Sequence, residues 1–287
     1  MQQSFNQLTP FLWVAQSRLF YMNSGILISE GDACLVDPGI YPDELEGIAR
    51  FVEEQGASVQ SIILTHSHWD HVLGPERFPR VKVIAQEEYA AAVAMGGAEL
   101  LKDVNQWVEK AKVERASPFV IPHPTETFGE NMELQVGSLT LWLVHTPGHS
   151  PDELVVYHAD SGTLWASDIL SDIEIPFVTH NLVAYQRTLA RLAGLDIRIL
   201  VPGHGSAATD PDEARRRLTH DITYLAELRV KVEQAIAQGK TQEETVAACA
   251  SMPYHHRAEN EGPHRINVQA AYAELGGQIA STLTPDP

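Results

Sequence analysis

The sequence predicts an α/β fold, an αββα sandwich with a C-terminal helical appendage, and three observations carry that expectation. Short apolar runs such as Ser61-Ile62-Ile63-Leu64 alternate with amphipathic stretches, the pattern of strands packed beneath helices. The pattern occurs twice, strands followed by helices, so two similar halves face each other across a double sheet. In both halves, apolar strands end in a glycine or proline turn with a metal-capable side chain at the tip.

Taken in order, Phe11-Leu12-Trp13-Val14, Gly25-Ile26-Leu27-Ile28 and Ala33-Cys34-Leu35-Val36 read as strands, with Glu30-Gly31-Asp32 turning the hairpin between the last two. Asp37-Pro38-Gly39 stops the third strand and leaves a carboxylate at its tip. That carboxylate could cap the turn or accept the free N–H of a metal-ligating histidine. Pro42 to Gln55 is helical through Leu45, Ile48, Ala49 and Val52, starts with proline and acids, and ends at Gly56. It leads into the strand at Ser61, making a strand-helix-strand crossover.

Further on, the spacing predicts a strand over Val81 to Ala85 and a helix from Glu87 to Met95 stopped by Gly96-Gly97. A separate helix is expected from Glu99 to Val113, then a loop broken by Pro118, Pro122 and Pro124. Strands follow at Met132 to Val136, Leu139 to His145, Leu154 to Tyr157 and Thr163 to Ala166. A helix over Asn181 to Leu192 and a strand over Ile197 to Val201 complete residues 1–207, the expected sandwich domain. Residues 208–287 read as a helical extension packed on that domain: Pro211 to Gln238, a helix capped by Thr241 and Glu244, and Ile266 to Leu275. Such an extension would cap a pocket or form a homodimer interface.

The densest chemistry lies in Thr65-His66-Ser67-His68-Trp69-Asp70-His71, where three imidazoles and a carboxylate follow a buried-strand pattern. Side chains of this kind bind borderline divalent metals such as zinc. Open α/β sheets place their ligands at the carboxyl ends of strands. His66 and His68 alternate and can face one way, while Asp70 and His71 face elsewhere round the turn. That split suits two adjacent metals better than one. The same tip grammar recurs at Asp37, His149, Asp168 and His204.

Composition narrows the function classes. With 20 basic against 38 acidic residues the formal charge is −18, which speaks against a nucleic-acid partner. Arg215-Arg216-Arg217, the one dense basic run, reads as a solvated helix face. Two distant cysteines, Cys34 and Cys249, do not make a disulfide scaffold. Neither a basic, apolar leader nor a run of ~18 apolar residues is visible, so the expectation is a cytoplasmic protein without a membrane partner.

Across residues 20–207, the ordered set of Asp37, the His66 to His71 loop, His149, Asp168 and His204 resembles the metallo-β-lactamase superfamily. The resemblance implies the αββα fold and two divalent metal ions, usually Zn2+, with iron or manganese as alternatives. It also implies the ligands: His66, His68 and His149 for one ion, Asp70, His71 and His204 for the other, Asp168 as the bridge, and Asp37 behind them. An aspartate at position 168 resembles the glyoxalase II-like thioesterases, lactonases and phosphodiesterases rather than true zinc β-lactamases. Ser171 departs from the tyrosine that bacterial acyl-homoserine lactonases commonly carry there.

The expected activity is hydrolysis of small carboxylic esters, thioesters or lactones by a metal-bridging hydroxide, with Asp70 or a metal-bound water returning the proton. The alternatives are a mononuclear iron dioxygenase of the persulfide type, using His66, His149 and Asp168, and a small-molecule phosphodiesterase. Tyr21, Met22, Trp69, Phe177 and His180 stand near motif ends and are the candidates for contacting a small-molecule substrate. His255, His256 and His264 form a second histidine group with no assigned role.

Overall fold

The computed structural model describes residues 4–115 and 117–277. Two sheets lie face to face. The first has seven strands in sequential order: β1 (Phe5–Thr9), β2 (Leu12–Gln16), β3 (Asn23–Ser29), β4 (Asp32–Val36), β5 (Ser58–Ile63), β6 (Lys82–Gln86) and β7 (Glu126–Phe128). β1 to β4 pair antiparallel, and β4 to β7 pair parallel. The second sheet contains β8 (Asn131–Val136), β9 (Leu139–His145), β10 (Leu154–His158), β11 (Thr163–Ser167) and β12 (Ile199–Pro202), with β12 parallel to β11 at one edge.

Leu27, Cys34, Val36 and Ile63 of the first sheet meet Leu141, Leu143, Val156 and Trp165 of the second in a core between the sheets. Helices α1 (Pro42–Glu54) and α2 (Tyr89–Ala111) cover the outer face of the first sheet through Leu45, Ile48, Leu100 and Val104. The outer face of the second carries α3 (Leu182–Leu192), α4 (Pro211–Ala237), α5 (Gln242–Cys249) and α6 (Arg257–Glu274). The order helix, sheet, sheet, helix is the expected αββα sandwich. The C-terminal helices share one core with the second sheet, in which Leu225, Leu228 and Val268 pack with Leu164, Ala166 and Leu189.

Several elements differ from the sequence expectation, among them the short β7, β1, α2 and α6. β1 was not expected; its stretch, Phe-Asn-Gln-Leu-Thr, has little apolar alternation, and pairing with β2 is what makes it a strand. The glycine pair does not divide the long helix, because α2 runs unbroken through Gly96 and Gly97. Each glycine costs a helix about 1 kcal/mol relative to alanine, less than is gained by burying Leu100, Val104 and Trp107. The last helix begins at Arg257 rather than Ile266 and contains Pro263, whose missing N–H is outweighed by the buried contacts of Asn260, His264 and Asn267.

Candidate metal centre

The strand tips meet at one edge of the sandwich. β4 and β5 run parallel, so Asp37 and Thr65 emerge side by side; Asp37 N–H donates to Ile63 O (3.0 Å) and Thr65 N–H to Asp37 Oδ1 (2.8 Å). β11 and β12 bring Asp168 beside His204 in the same way, with Gly203 N–H donating to Ser167 O at 2.7 Å. Gly203 is required there, since a Cβ would collide with Asp168 Oδ1. Leu154 N–H donates to Thr65 O (2.9 Å) and Asn23 N–H to Gly203 O (2.7 Å), tying the two sheets together where the tips converge.

The convergence is on one atom. Asp168 Oδ2 lies 3.7 Å from His66 Nε2, 3.5 Å from His71 Nε2, 3.6 Å from His149 Nε2 and 3.6 Å from His204 Nε2. Asp70 Oδ2 is 3.5 Å from His204 Nε2 and 3.9 Å from His71 Nε2. Two groups form, His66, His68, His149 and Asp168 in one and Asp70, His71 and His204 in the other, with each group's ligand atoms within 4.8 Å of one another. All seven candidate metal ligands from the sequence are therefore brought together.

The tautomers are set from behind. His71 Nδ1 donates to Asp37 Oδ2 (2.9 Å), His149 Nδ1 to Phe177 O (2.9 Å) and His204 Nδ1 to Phe20 O (3.0 Å), which turns each Nε2 inward. His66 Nδ1 lies 3.2 Å from Thr65 Oγ1, itself bonded to Asp37 and Ser167. The buried atoms His66 Nε2, His71 Nε2 and Asp168 Oδ1 have no hydrogen-bond partner among the described residues. Unpaired buried polar atoms of this kind are costly, and cations held by the two groups would satisfy the Nε2 atoms of His66 and His71. The imidazole and carboxylate donor set fits zinc, iron or manganese.

Electrostatics divide the site. Burial, together with the neighbouring His71 and His68, holds His66 well below the usual imidazole range, and burial with His68 lowers His149 to about 4. Burial likewise lowers His68. These rings are neutral and ready to donate a lone pair. Burial opposes protonation of His71 and His204 too, but Asp168 and Asp70 outweigh it, raising His71 well above the usual range and His204 to about 9. Burial would raise Asp168, but His71 and His204 hold it well below the usual carboxylate range.

Two acids that the sequence reading passed over stand beside these ligands. Asp152 Oδ1 accepts from Ser67 Oγ (3.2 Å) and from Ser150 Oγ, and its other oxygen is buried without a partner among the described residues. Glu153 Oε1 accepts the Asp168 N–H (3.0 Å), while burial and then Asp168 raise its carboxyl well above the usual range. Their place directly after His149-Ser150-Pro151 was the available signal.

The candidate substrate contacts are more dispersed. Trp69 is partly buried, 5.6 Å from the Trp107 ring and 6.2 Å from Phe20. Phe20 and Tyr21 take left-handed backbone conformations (φ +54° and +53°) and are both exposed, with the Phe20 ring 6.5 Å from that of His204. Phe177 lies 6.1 Å from the His149 ring, and His180 is exposed at a cavity beside His68. Met22 is fully buried in the core with Ile26 and Leu64, so it is a packing residue rather than a surface for substrate.

The C-terminal histidines do not form one group. His264 is buried between Tyr224 Oη (2.8 Å) and Cys249 O (3.1 Å), whereas His255 Nδ1 faces His220 Nε2 (3.1 Å) and His256 is exposed. Among the described residues they join no further group of metal-capable side chains. Both cysteines are buried, and burial pushes the Cys34 thiol up to about 12, far from nucleophile range.

The metallo-β-lactamase superfamily model matches residues 18–204. The chain belongs to that superfamily. Among curated relatives of this metallo-β-lactamase superfamily protein is a linear primary-alkylsulfatase from a Pseudomonas species, 24% identical over 69% of this chain and 44% of the relative. A hydroxyacylglutathione hydrolase from Legionella pneumophila is 28% identical over 47% of this chain and 41% of the relative. The chain thus spans less than half the length of these two enzymes. A metallo-β-lactamase family protein from Thermus thermophilus has the same fold, with a TM-score of 0.67 at 22% identity over 93% of both chains. No helix among the described residues is long and apolar enough to cross a membrane.

Proposed function

We propose that this superfamily member is a dinuclear metal-dependent hydrolase of small carboxylic esters, thioesters or lactones. The observation that carries the proposal is the approach of four imidazole nitrogens to Asp168 Oδ2 at 3.5–3.7 Å, with Asp70 at the rim of the same cluster. His66, His68 and His149 would hold one cation, Asp70, His71 and His204 the second, and Asp168 both. When bound, two such cations supply Lewis acidity and water activated for attack at neutral pH.

The chain's own residues do the rest. Asp37, Phe177 O and Phe20 O hold the ligand rings in register, so the site needs little rearrangement during turnover. Water adds to the substrate carbonyl carbon, the C–O or C–S bond breaks, and a carboxylic acid leaves with an alcohol or thiol. Asp70, or water held at the centre, would return the proton to the departing oxygen or sulfur. Neither cysteine offers a competing nucleophile, because both are buried.

A mononuclear iron dioxygenase would use His66, His149 and Asp168 alone, and the equal assembly of Asp70, His71 and His204 favours the dinuclear reading. The similarity to an alkylsulfatase and a hydroxyacylglutathione hydrolase supports ester or thioester cleavage as the reaction class. The test is metal quantification coupled to a panel of p-nitrophenyl esters, lactones, thioesters, alkyl sulfates and bis-p-nitrophenyl phosphate. About two equivalents of zinc, iron or manganese with carboxylic ester or thioester turnover is the expected result. One equivalent of iron with oxygen consumption would overturn it, and so would turnover of the phosphodiester alone.

A further inference from the structure

Beside the metal centre a cavity of about 520 Å3 runs from His68 along α2, within the ~300–1,000 Å3 range of small-ligand sites. Trp69 and Pro151 form part of its wall, and Val93, Gly96 and Leu100 line it from the helix. Met95, 90% exposed, stands among its lining residues. The side chains with hydroxyls, Ser67, Ser150 and Thr179, neighbour the metal-capable histidines in sequence or by contact; Thr179 Oγ1 donates to His149 O.

Charge then decides what suits the space. Glu99 and Asp103 belong to the lining, and no lysine or arginine does. Lys102 reaches Glu99 (2.6 Å) from outside the lining, and Lys110 lines a separate hollow on the Phe20 side of Trp69. A tail ending in a carboxylate would meet Asp103 and a Glu99 already paired with Lys102, with no lysine or arginine in the lining to receive it, on a chain already at −18. A hydrocarbon tail would bury itself against Trp69, Val93 and Leu100 without leaving a charge unpaired.

From this lining we infer that the substrate is an amphiphile with an uncharged hydrocarbon tail lying along α2 against Trp69, its scissile bond at the His68 end. The inference rests on the hydrolase reading for the bond that is cleaved, and on the cavity alone for the tail. It separates this chain from an enzyme of glutathione thioesters, whose substrates carry carboxylates. Gly96 is the position at which the groove can be filled without disturbing the fold. A Cβ there meets no atom within 4 Å, and replacing a mid-helix glycine favours the helix.

The experiment uses the metal-loaded full chain with p-nitrophenyl acetate, butyrate, hexanoate and octanoate, and with hexyl and octyl acetates for a tail on the alcohol side. Expected is a rise in kcat/KM of about tenfold per step in one series, from the methylenes buried. In Gly96→Phe the octanoate-to-acetate ratio, or its alcohol-side counterpart, should fall at least tenfold. Octanamide should also quench tryptophan fluorescence saturably in the parent chain and not in Gly96→Phe.

Turnover with flat chain-length profiles and no saturable octanamide binding would overturn the tail groove and leave the hydrolase reading standing. The opposite result, no turnover of any ester but octanamide binding lost in Gly96→Phe, would remove the hydrolase reading and keep the groove. An S-acylglutathione cleaved faster than the uncharged thioester of the same acid, with the preference lost in Lys110→Ala, would overturn the groove in favour of the hollow across Trp69.

Discussion

His71 donates from Nδ1 to Asp37 Oδ2 at 2.9 Å, and Asp37 holds that position with a left-handed backbone (φ +43°). The same carboxylate accepts the Thr65 N–H (2.8 Å) and hydroxyl (2.5 Å), so one side chain fixes both a ligand ring and the start of the histidine loop. Substituting Asp37 by Asn, which tolerates this backbone, should weaken metal affinity about 10- to 100-fold with the fold intact. Competition against a chromophoric chelator measures this, and an unchanged affinity would count against the role given to Asp37.

Metal removal should lower thermal stability, because a cation bound only by the folded state adds about 2.7 kcal/mol at a hundredfold excess over Kd. Calorimetry with and without EDTA should show a lower Tm for the stripped protein. In His66→Ala or Asp168→Ala that difference should shrink or vanish, together with nearly all turnover. A chelator-insensitive Tm in the parent chain would argue that the buried Nε2 atoms hold no cation.

Asn267 on α6 donates to Pro176 O (2.6 Å) and Tyr224 Oη (2.9 Å) and accepts the Val178 N–H (2.8 Å). Between those anchors sits Phe177, whose carbonyl orients His149. Asn267→Ala would strand several buried polar groups at about 1–3 kcal/mol each, so a loss of about 3 kcal/mol or more is expected in urea denaturation. Metal affinity should fall as well, although α6 supplies no ligand.

Asp221 is fully buried on α4, and burial pushes its carboxyl up to about 6, with His220 (3.2 Å) and Arg217 opposing the rise. A carboxyl raised on folding holds its proton more tightly in the native state. Its penalty is absent below its ordinary value of 3.8, grows with rising pH, and is complete above about 6. Asp221→Asn should therefore gain stability relative to the parent chain between those pH values, by about 3 kcal/mol at most. Denaturation at pH 4 and pH 7 tests the sign; a difference independent of pH would refute it.

Much of this molecule could be read from the residues. Strand tips ending in Asp37, His66, His149, Asp168 and His204 were visible because each lies at the end of an apolar run, with a proline and a glycine beside Asp37, His149 and His204, and both signals are local. The path of α2 through Gly96-Gly97 was not visible, because a propensity cost is local while the packing of Leu100, Val104 and Trp107 that overrides it is not. The roles of Asn267 and His264 were equally hidden, since a buried amide or imidazole looks like any surface one until its partners are known.

By itself, then, the chain determined which side chains could hold metal and that they lie at strand ends, since ligand chemistry and strand punctuation are written residue by residue. Only the tertiary structure decided that four imidazoles face one carboxylate oxygen, that Met22 is core while Trp69 lines a cavity, and that α6 braces the His149 loop. Those facts depend on which distant segments pack together, and packing is a property of the whole fold rather than of any stretch of it.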